Sequence, residues 1–322
     1  MTSGTTYQFG PDHADATYVP HGHPEQAVDL GEVALNYAVT GPEDAPALLL
    51  VPGQTLSWWT YEPTMRLLER DYRVHAVDLR GQGRSTRTPG RYTLDLWGND
   101  LVRFLERVVV GPGGRPAVVA GHSSGGVLAA WLAAYAPPGL VRAAYLEDAP
   151  LFASEVTPAV GHSIRQTGVG ALLHLMATHL GDQWRVGDWA GMVAAGPAAL
   201  PAWMADWAPH GEDVPQTLKE YDPEWARAFW SGSAGAGCDH ARMLAQVKVP
   251  VLFTHHFRGV DAATGMLMGA VSDVQVEQAR RLVEGAGRAF TCRSFPQAGH
   301  ALHAEDPDRY AATLREWARG LA

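Results

Sequence analysis

The stretch of this chain best suited to covalent chemistry is Gly121-His122-Ser123-Ser124-Gly125. It follows an apolar run, Ala117 to Ala120, and opens a helical pattern, Ser124 to Tyr135. A serine on such a strand-to-helix turn has its hydroxyl raised above the sheet, and the glycines let the backbone pass closely. Only Ser123 has glycines at both flanking positions of the frame; Ser124 does not. The backbone N–H of Ser124, at the helix N-terminus, would face a developing oxyanion. A hydroxyl also needs a base. The chain has 14 histidines, so position must choose among them. His300 lies in a glycine-containing loop, Phe295-Pro296-Gln297-Ala298-Gly299-His300, after the last strand pattern and before a helix starting near Pro307. That is where a general base for the serine belongs. His303 is the neighbouring rival and reads as a loop or pocket residue.

A third group must orient the imidazole, and two strand ends offer a carboxylate. Glu147-Asp148-Ala149-Pro150 follows the strand after the serine's helix, while Asp261 follows Val251 to Thr254 by a longer loop. The residues alone leave these acids evenly matched. The second oxyanion donor should come from the loop after the first buried strand, Val51-Pro52-Gly53-Gln54, with the Gln54 N–H as donor. The later turn Asp78-Leu79-Arg80-Gly81-Gln82-Gly83-Arg84-Ser85 carries no full GxGxxG and reads as structural rather than nucleotide-binding. The pairs His21/His23 and His255/His256 lack an accompanying carboxylate or thiolate pattern, so surface or packing roles are expected and no metal is called. No organic cofactor is called either.

The elements that must hold these groups alternate between strand and helix patterns, which argues for a mostly parallel sheet covered on both faces. An opening hairpin spans Val28–Leu30 and Val33–Val39. Further strands are expected at Ala47–Val51, Arg73–Val77, Ala117–Ala120, Val141–Leu146, Val249–Thr254 and Phe290–Phe295. Helices are expected at Glu62–Leu68, Leu94–Val109, Ser124–Tyr135, Val274–Val283 and Pro307–Leu321. Alternation stops between residues 151 and 246, where helical stretches rich in Trp, Gly and Ala take over. This division gives an N-terminal extension (1–26), a core (27–150 and 247–322) and an inserted helical cap (151–246).

Composition bounds the partners. Hydrophobic residues make up 46% and charged residues 18% of the 322, a globular balance, and the formal charge of −9 would repel nucleic acid or an anionic membrane. Cys238 and Cys292 do not make a disulfide framework. No secretory signal is read at the start and no apolar run is long enough to span a bilayer, so a cytoplasmic protein is expected.

Together the DLRGQGRS turn, the GHSSG elbow and the final GH loop resemble the α/β-hydrolase superfamily over residues 27–321. A closer resemblance is to the bacterial zearalenone-hydrolysing lactonases, through SWWTYEP, DLRGQGRST, GHSSGG, EDAPLFASE, GDQWRVGDW, LKEYDPEWARAFW and VSDVQ. More distant fungal lactonases of that activity share an acidic residue before x-Pro after the elbow's next strand, and a W-A-R segment in the cap. The resemblance implies Asp148 as the triad acid, ahead of Asp261 and Glu147, and Trp225 as a substrate contact. Gly53, Phe229 and His303 join it as candidate contacts. Departures are His122 within the elbow and Pro52 where many relatives have His.

The resemblance further implies a serine lactonase that opens the macrocyclic ester of zearalenone or a related resorcylic lactone. The partner is then a small apolar lactone or ester. It also implies a homo-oligomer to which the N-terminal extension contributes, with Tyr7, Phe9, Tyr18 and Val19 as anchors. Two other readings stand beside this one: a hydrolase of another ester, lactone or carbon–carbon bond, and a small-molecule receptor that keeps the triad without turnover.

Overall fold

A computed structural model describes residues 13, 17–111, 113–181, 185 and 187–321. Eight strands form one sheet in the order β1-β2-β4-β3-β5-β6-β7-β8. They are β1 (Glu25–Asp29), β2 (Ala34–Thr40), β3 (Ala47–Val51), β4 (Arg73–Val77), β5 (Ala117–His122), β6 (Val141–Glu147), β7 (Val251–His255) and β8 (Phe290–Ser294). The opening hairpin pairs antiparallel, β2 also runs antiparallel to β4, and every later pairing is parallel. This is the α/β-hydrolase arrangement, and the expected strands all occur with ends moved by a few residues. The hairpin starts at Glu25, so the extension ends earlier than residue 26.

β3 and β5 are unbroken apolar runs because both their faces are covered. On one face lie α1 (Glu62–Leu68) and the later C-terminal helix, burying Met65, Leu68, Tyr310 and Leu314. On the other lie α2 (Leu94–Phe104) and α3 (Ser124–Tyr135), burying Trp97, Leu101, Val127 and Trp131. The helix expected over Leu94–Val109 changes pitch at Leu105, and its last five residues form wider turns closed by Val110 N–H to the Leu105 carbonyl at 2.8 Å. α3 is apolar all round and buried along nearly its whole length, as a helix wedged between sheet and neighbours must be.

Between β6 and β7 the described residues form no strand of the sheet. The chain builds α4 (Gly168–His179), α5 (Trp189–Ala199), a 3₁₀ segment Ala202–Trp207, α6 (Gln216–Lys219), α7 (Glu224–Ser231) and α8 (His240–Leu244). After β7 come α9 (Asp273–Gly285), α10 (Leu302–Glu305) and α11 (Pro307–Ala318). Two short bridges, Gln82 to Tyr221 and Thr167 to Leu267, tie the inserted segment to core loops.

Tyr7 and Phe9 lie outside the described residues. The described residues just before β1 pack on their own chain. Arg84 stacks 4.6 Å over the Tyr18 ring, His21 stacks on Trp59 at 5.3 Å, and His23 bonds Glu62 at 2.9 Å.

Where α3 meets β3 the backbones touch. A Cβ at Gly125 would fall 2.3 Å from the Val51 carbonyl oxygen and 2.5 Å from that of Pro52. Gly125→Ala should therefore lower the urea midpoint, by about 1–3 kcal/mol for an overpacked core position. An unchanged midpoint would show that this approach is looser than described.

Candidate active site

Parallel register aligns the ends of three strands: His122 pairs with Glu147, and Glu147 pairs with Thr254. The next residue on each strand is Ser123, Asp148 and His255. Ser123 sits at φ 53° and ψ −124°, a conformation that costs a non-glycine residue about 1–3 kcal/mol. The turn is held by Ser123 N–H to the Glu147 carbonyl at 2.9 Å and Gly126 N–H to the Ser123 carbonyl at 2.9 Å. Asp148 (φ 44°), Thr55 (φ 60°) and Phe152 (φ 64°) are the other described non-glycine residues at positive φ. All four follow the carboxyl ends of β3, β5 and β6.

Asp148 Oδ2 accepts from His300 Nδ1 at 2.7 Å, and Asp148 Oδ1 accepts from the His256 N–H at 3.1 Å. Burial alone would lower the His300 pKa, but the hydrogen bond and charge of Asp148 outweigh it and raise the net value. Burial likewise pushes Asp148 up, and His300 and His256 overcome it to hold the carboxyl low. Both shifts have one cause: each group, when charged, stabilises the charge of the other. Among the described residues Ser123 Oγ makes no hydrogen bond to His300. Such contacts are often long without substrate and close in the complex.

Beneath this pair lies a second one. Glu147 is fully buried and accepts from the His303 N–H at 2.9 Å and from His303 Nδ1 at 2.9 and 3.0 Å. His122 donates from Nε2 to the His300 carbonyl at 3.1 Å, and burial, followed by its histidine neighbours, drives its pKa far down. His256 closes the frame. Its Nδ1 donates to the Gly299 carbonyl at 2.9 Å, so a neutral ring accepts the Thr254 hydroxyl at Nε2, 3.0 Å away. His122, Glu147 and His303 bring three potential metal-ligand atoms within 4.8 Å of one another. The Glu147 oxygens are already engaged by His303, so the cluster reads as a brace for the His300 loop.

Neither the Gln54 nor the Ser124 N–H donates to a backbone carbonyl among the described residues. The Gln54 loop is fixed through its neighbours: Gln82 Nε2 donates to the Gly53 carbonyl at 2.7 Å and the Tyr221 hydroxyl to Gln54 Oε1 at 3.0 Å. A Cβ at Gly53 would come within 2.9 Å of the Ser123 Cβ, so glycine leaves room for the serine there.

A cavity of about 260 Å³ borders Asp148 and His300, walled by Val169, Trp203, Trp207, Phe257 and Met268. A second, of about 230 Å³, is lined by Thr55, Met176, Met192 and Leu218, and shares Trp207 with the first. Trp207 lies 6.4 Å from His300, ring to ring.

Several expectations are corrected. Trp225 is 0% exposed and lines neither cavity. It packs 3.9 Å from Trp97, and its Nε1 donates to the Arg80 carbonyl at 3.0 Å. Phe229, one helical turn on, is buried beside it. The stripe at i and i+4 of an eight-residue helix had to be buried against the core. His303 is likewise fully buried and bound to Glu147 rather than facing a ligand. Asp261 is set in a surface turn where its carboxylate accepts from Thr264 N and Oγ1, while His300 takes Asp148. His255 and His256, expected on the surface or in packing, are both buried, and His256 holds the His300 loop. Trp207 is one of several tryptophans of the inserted helical stretch and nothing in its spacing singles it out, while Phe257 and Met268 carry no motif. Trp184 and much of GDQWRVGDW lie outside the described residues.

A family model described as the alpha/beta hydrolase family matches residues 48–313. Chloroplastic pheophytinase of Arabidopsis thaliana is 31% identical over 170 residues, 42% of this chain and 34% of that protein. The 3-oxoadipate enol-lactonase 2 of Acinetobacter baylyi is 32% identical over 121 residues, 37% of this chain and 43% of that protein. The matched segment thus spans under half the length of these relatives. Among solved structures, the esterase RhEst1 from a Rhodococcus species aligns at a TM-score of 0.64 with 22% identity, covering 94% of this chain and 100% of that one. The enol-lactonase from Burkholderia xenovorans aligns at 0.63 with 20% identity, covering 91% and 100%. At such identities the structural likeness concerns the fold. Among the described residues no helix is long and apolar enough to cross a membrane.

Two predictions follow from this site. A base must be neutral to accept a proton, so a raised His300 pKa places the acid limb of kcat/KM above pH 6.5. Asp148→Asn removes the raising group and should move that limb to lower pH while cutting kcat by about 10⁴. Trp225→Ala should cost about 3–5 kcal/mol in urea unfolding, the range for emptying a buried aromatic site. A loss confined to activity on large substrates would return Trp225 to the ligand wall.

Proposed function

The chain belongs to the α/β-hydrolase family, and from that premise we propose that it is a serine lactonase or esterase for apolar esters, resorcylic macrolactones such as zearalenone included. The observation that carries this reading is the buried Asp148 carboxylate, bonded at 2.7 Å to His300 next to a serine on a strained turn. Ser123 Oγ attacks the ester carbonyl while His300 Nε2 takes its proton. The Gln54 and Ser124 N–H groups hold the oxyanion, and Asp148 stabilises the imidazolium. His300 then passes the proton to the departing alkoxide oxygen, leaving an acyl-Ser123. Water, deprotonated by His300, releases the acid. The substrate class is supported by the apolar cavity walled by Trp203, Phe257 and Met268 against His300. It is supported too by the motifs shared with zearalenone-hydrolysing lactonases and by the partial similarity to an enol-lactonase.

The test is hydrolysis of zearalenone beside a panel of small lactones and aryl esters, with products identified by mass. Ring-opened hydroxy acid is expected, with kcat falling on the order of 10⁶ in Ser123→Ala and a similar loss in His300→Ala. The double variant should lose no more than either single one, because the groups act as a unit. Hydrolysis of simple esters without any on the macrolactone would keep the mechanism and discard the substrate. No turnover on any ester would discard both.

A further inference from the structure

Trp207 stands between the two cavities described above and contributes to the wall of each. It ends the 3₁₀ segment Ala202–Trp207, the residue is 47% exposed, and its ring lies 6.4 Å from that of His300. On one side the cavity includes His300 and Asp148. On the other it includes Thr55, the residue after the proposed oxyanion donor Gln54, above a floor of Met176, Met192 and Leu218. The two spaces are alike in size, about 260 and 230 Å³.

An ester bound at Ser123 has two arms leaving its carbonyl carbon. The alkoxide oxygen must receive its proton from His300, so the alcohol arm belongs on the His300 side. The carbonyl oxygen points to the oxyanion donors, and the acyl arm is left with the space beyond Thr55. Resting on the serine-hydrolase reading above, we propose that Trp207 is a specificity-determining partition that assigns the alcohol arm to the Met268 cavity and the acyl arm to the Leu218 cavity. The substrate class is then esters with two apolar arms, each able to fill a pocket. A macrocyclic lactone meets this requirement by straddling the exposed edge of the indole. A small-ring lactone, whose two arms close within a few atoms, fills one side only.

The experiment lengthens each arm separately and blocks each pocket separately. With the full-length protein, kcat/KM is measured for p-nitrophenyl acetate and octanoate (acyl arm), for ethyl and octyl acetate (alcohol arm), and for octyl octanoate. In the wild type the gain from lengthening one arm should multiply the gain from the other in octyl octanoate. A second-arm gain below twofold would mean one shared pocket and would overturn the partition. Leu218→Trp and Leu172→Trp fill the acyl cavity and should reduce the octanoate-to-acetate ratio about tenfold or more, an effect of the size that a few apolar atoms exert in a pocket. Met268→Trp and Val169→Phe should reduce the octyl-to-ethyl ratio instead. In a Trp207→Ala background the arms can exchange pockets, and each filler's effect should fall below threefold. Fillers acting on the same arm, or selectivity unchanged by Trp207→Ala, would contradict the proposal. Should the filled variants fail to melt cooperatively, the wild-type multiplication test still decides. Absence of wild-type turnover on every ester of the series is a different failure, which removes the serine-hydrolase reading itself.

Discussion

Two consecutive carboxylates at the end of one strand hold two histidines of one loop, and the site is arranged around that grip. Glu147 is the last residue of β6 and points into the protein, where it takes His303. Asp148 turns out at φ 44° and takes His300. The Glu147 carbonyl accepts the Ser123 N–H, and the Asp148 N–H reaches the Thr254 carbonyl, both at 2.9 Å. Ser123, His300 and the loop after β7 are thereby referenced to a single point. Removing one member of such a buried pair leaves an uncompensated polar group, a loss of about 3–5 kcal/mol when that group is charged. The arrangement resists drift for this reason.

The inserted helices reach the chemistry through polar contacts as well as cover. Glu220 accepts from Ser57 Oγ at 2.9 Å and Trp59 Nε1 at 2.7 Å, and its carbonyl accepts the Gly83 N–H at 2.7 Å. Tyr221, the next residue, fixes Gln54. Burial raises the Asp78 carboxyl to about 7 against the hydrogen bonds from Asn36, Trp58 and Arg84, so this interior carries a real electrostatic cost. The segment 219–225 stitches the inserted helices to the Gln54 loop, the proposed source of the second oxyanion donor. Among the described residues, the four non-glycine residues at positive φ all lie at the same edge of the sheet, where surrounding structure can hold them.

Much of the architecture was legible in the sequence because the buried strands are short unbroken apolar runs such as Ala47–Val51 and because the helix of Ser124–Tyr135 follows a glycine-flanked serine. The positions of Ser123 and His300 could be read from local spacing. The acid could not, since Asp148 and Asp261 both follow strands, and only three-dimensional register brings Asp148 to His300. Trp225 misled for a similar reason: an apolar stripe looks the same whether it meets a ligand or a core. The particular roles of Trp207 and His256 were not legible because they arise from which loops pack together, and no spacing within the chain encodes that.

The central claim is that Ser123, activated by His300, is the nucleophile. Its most direct measurement is labelling of the native protein with a fluorophosphonate, followed by peptide mass spectrometry and the rate of adduct formation. The account predicts one adduct per chain, on Ser123 and not on Ser124, formed much more slowly in His300→Ala. An adduct on Ser124 or another residue, or an unchanged rate without His300, would contradict it.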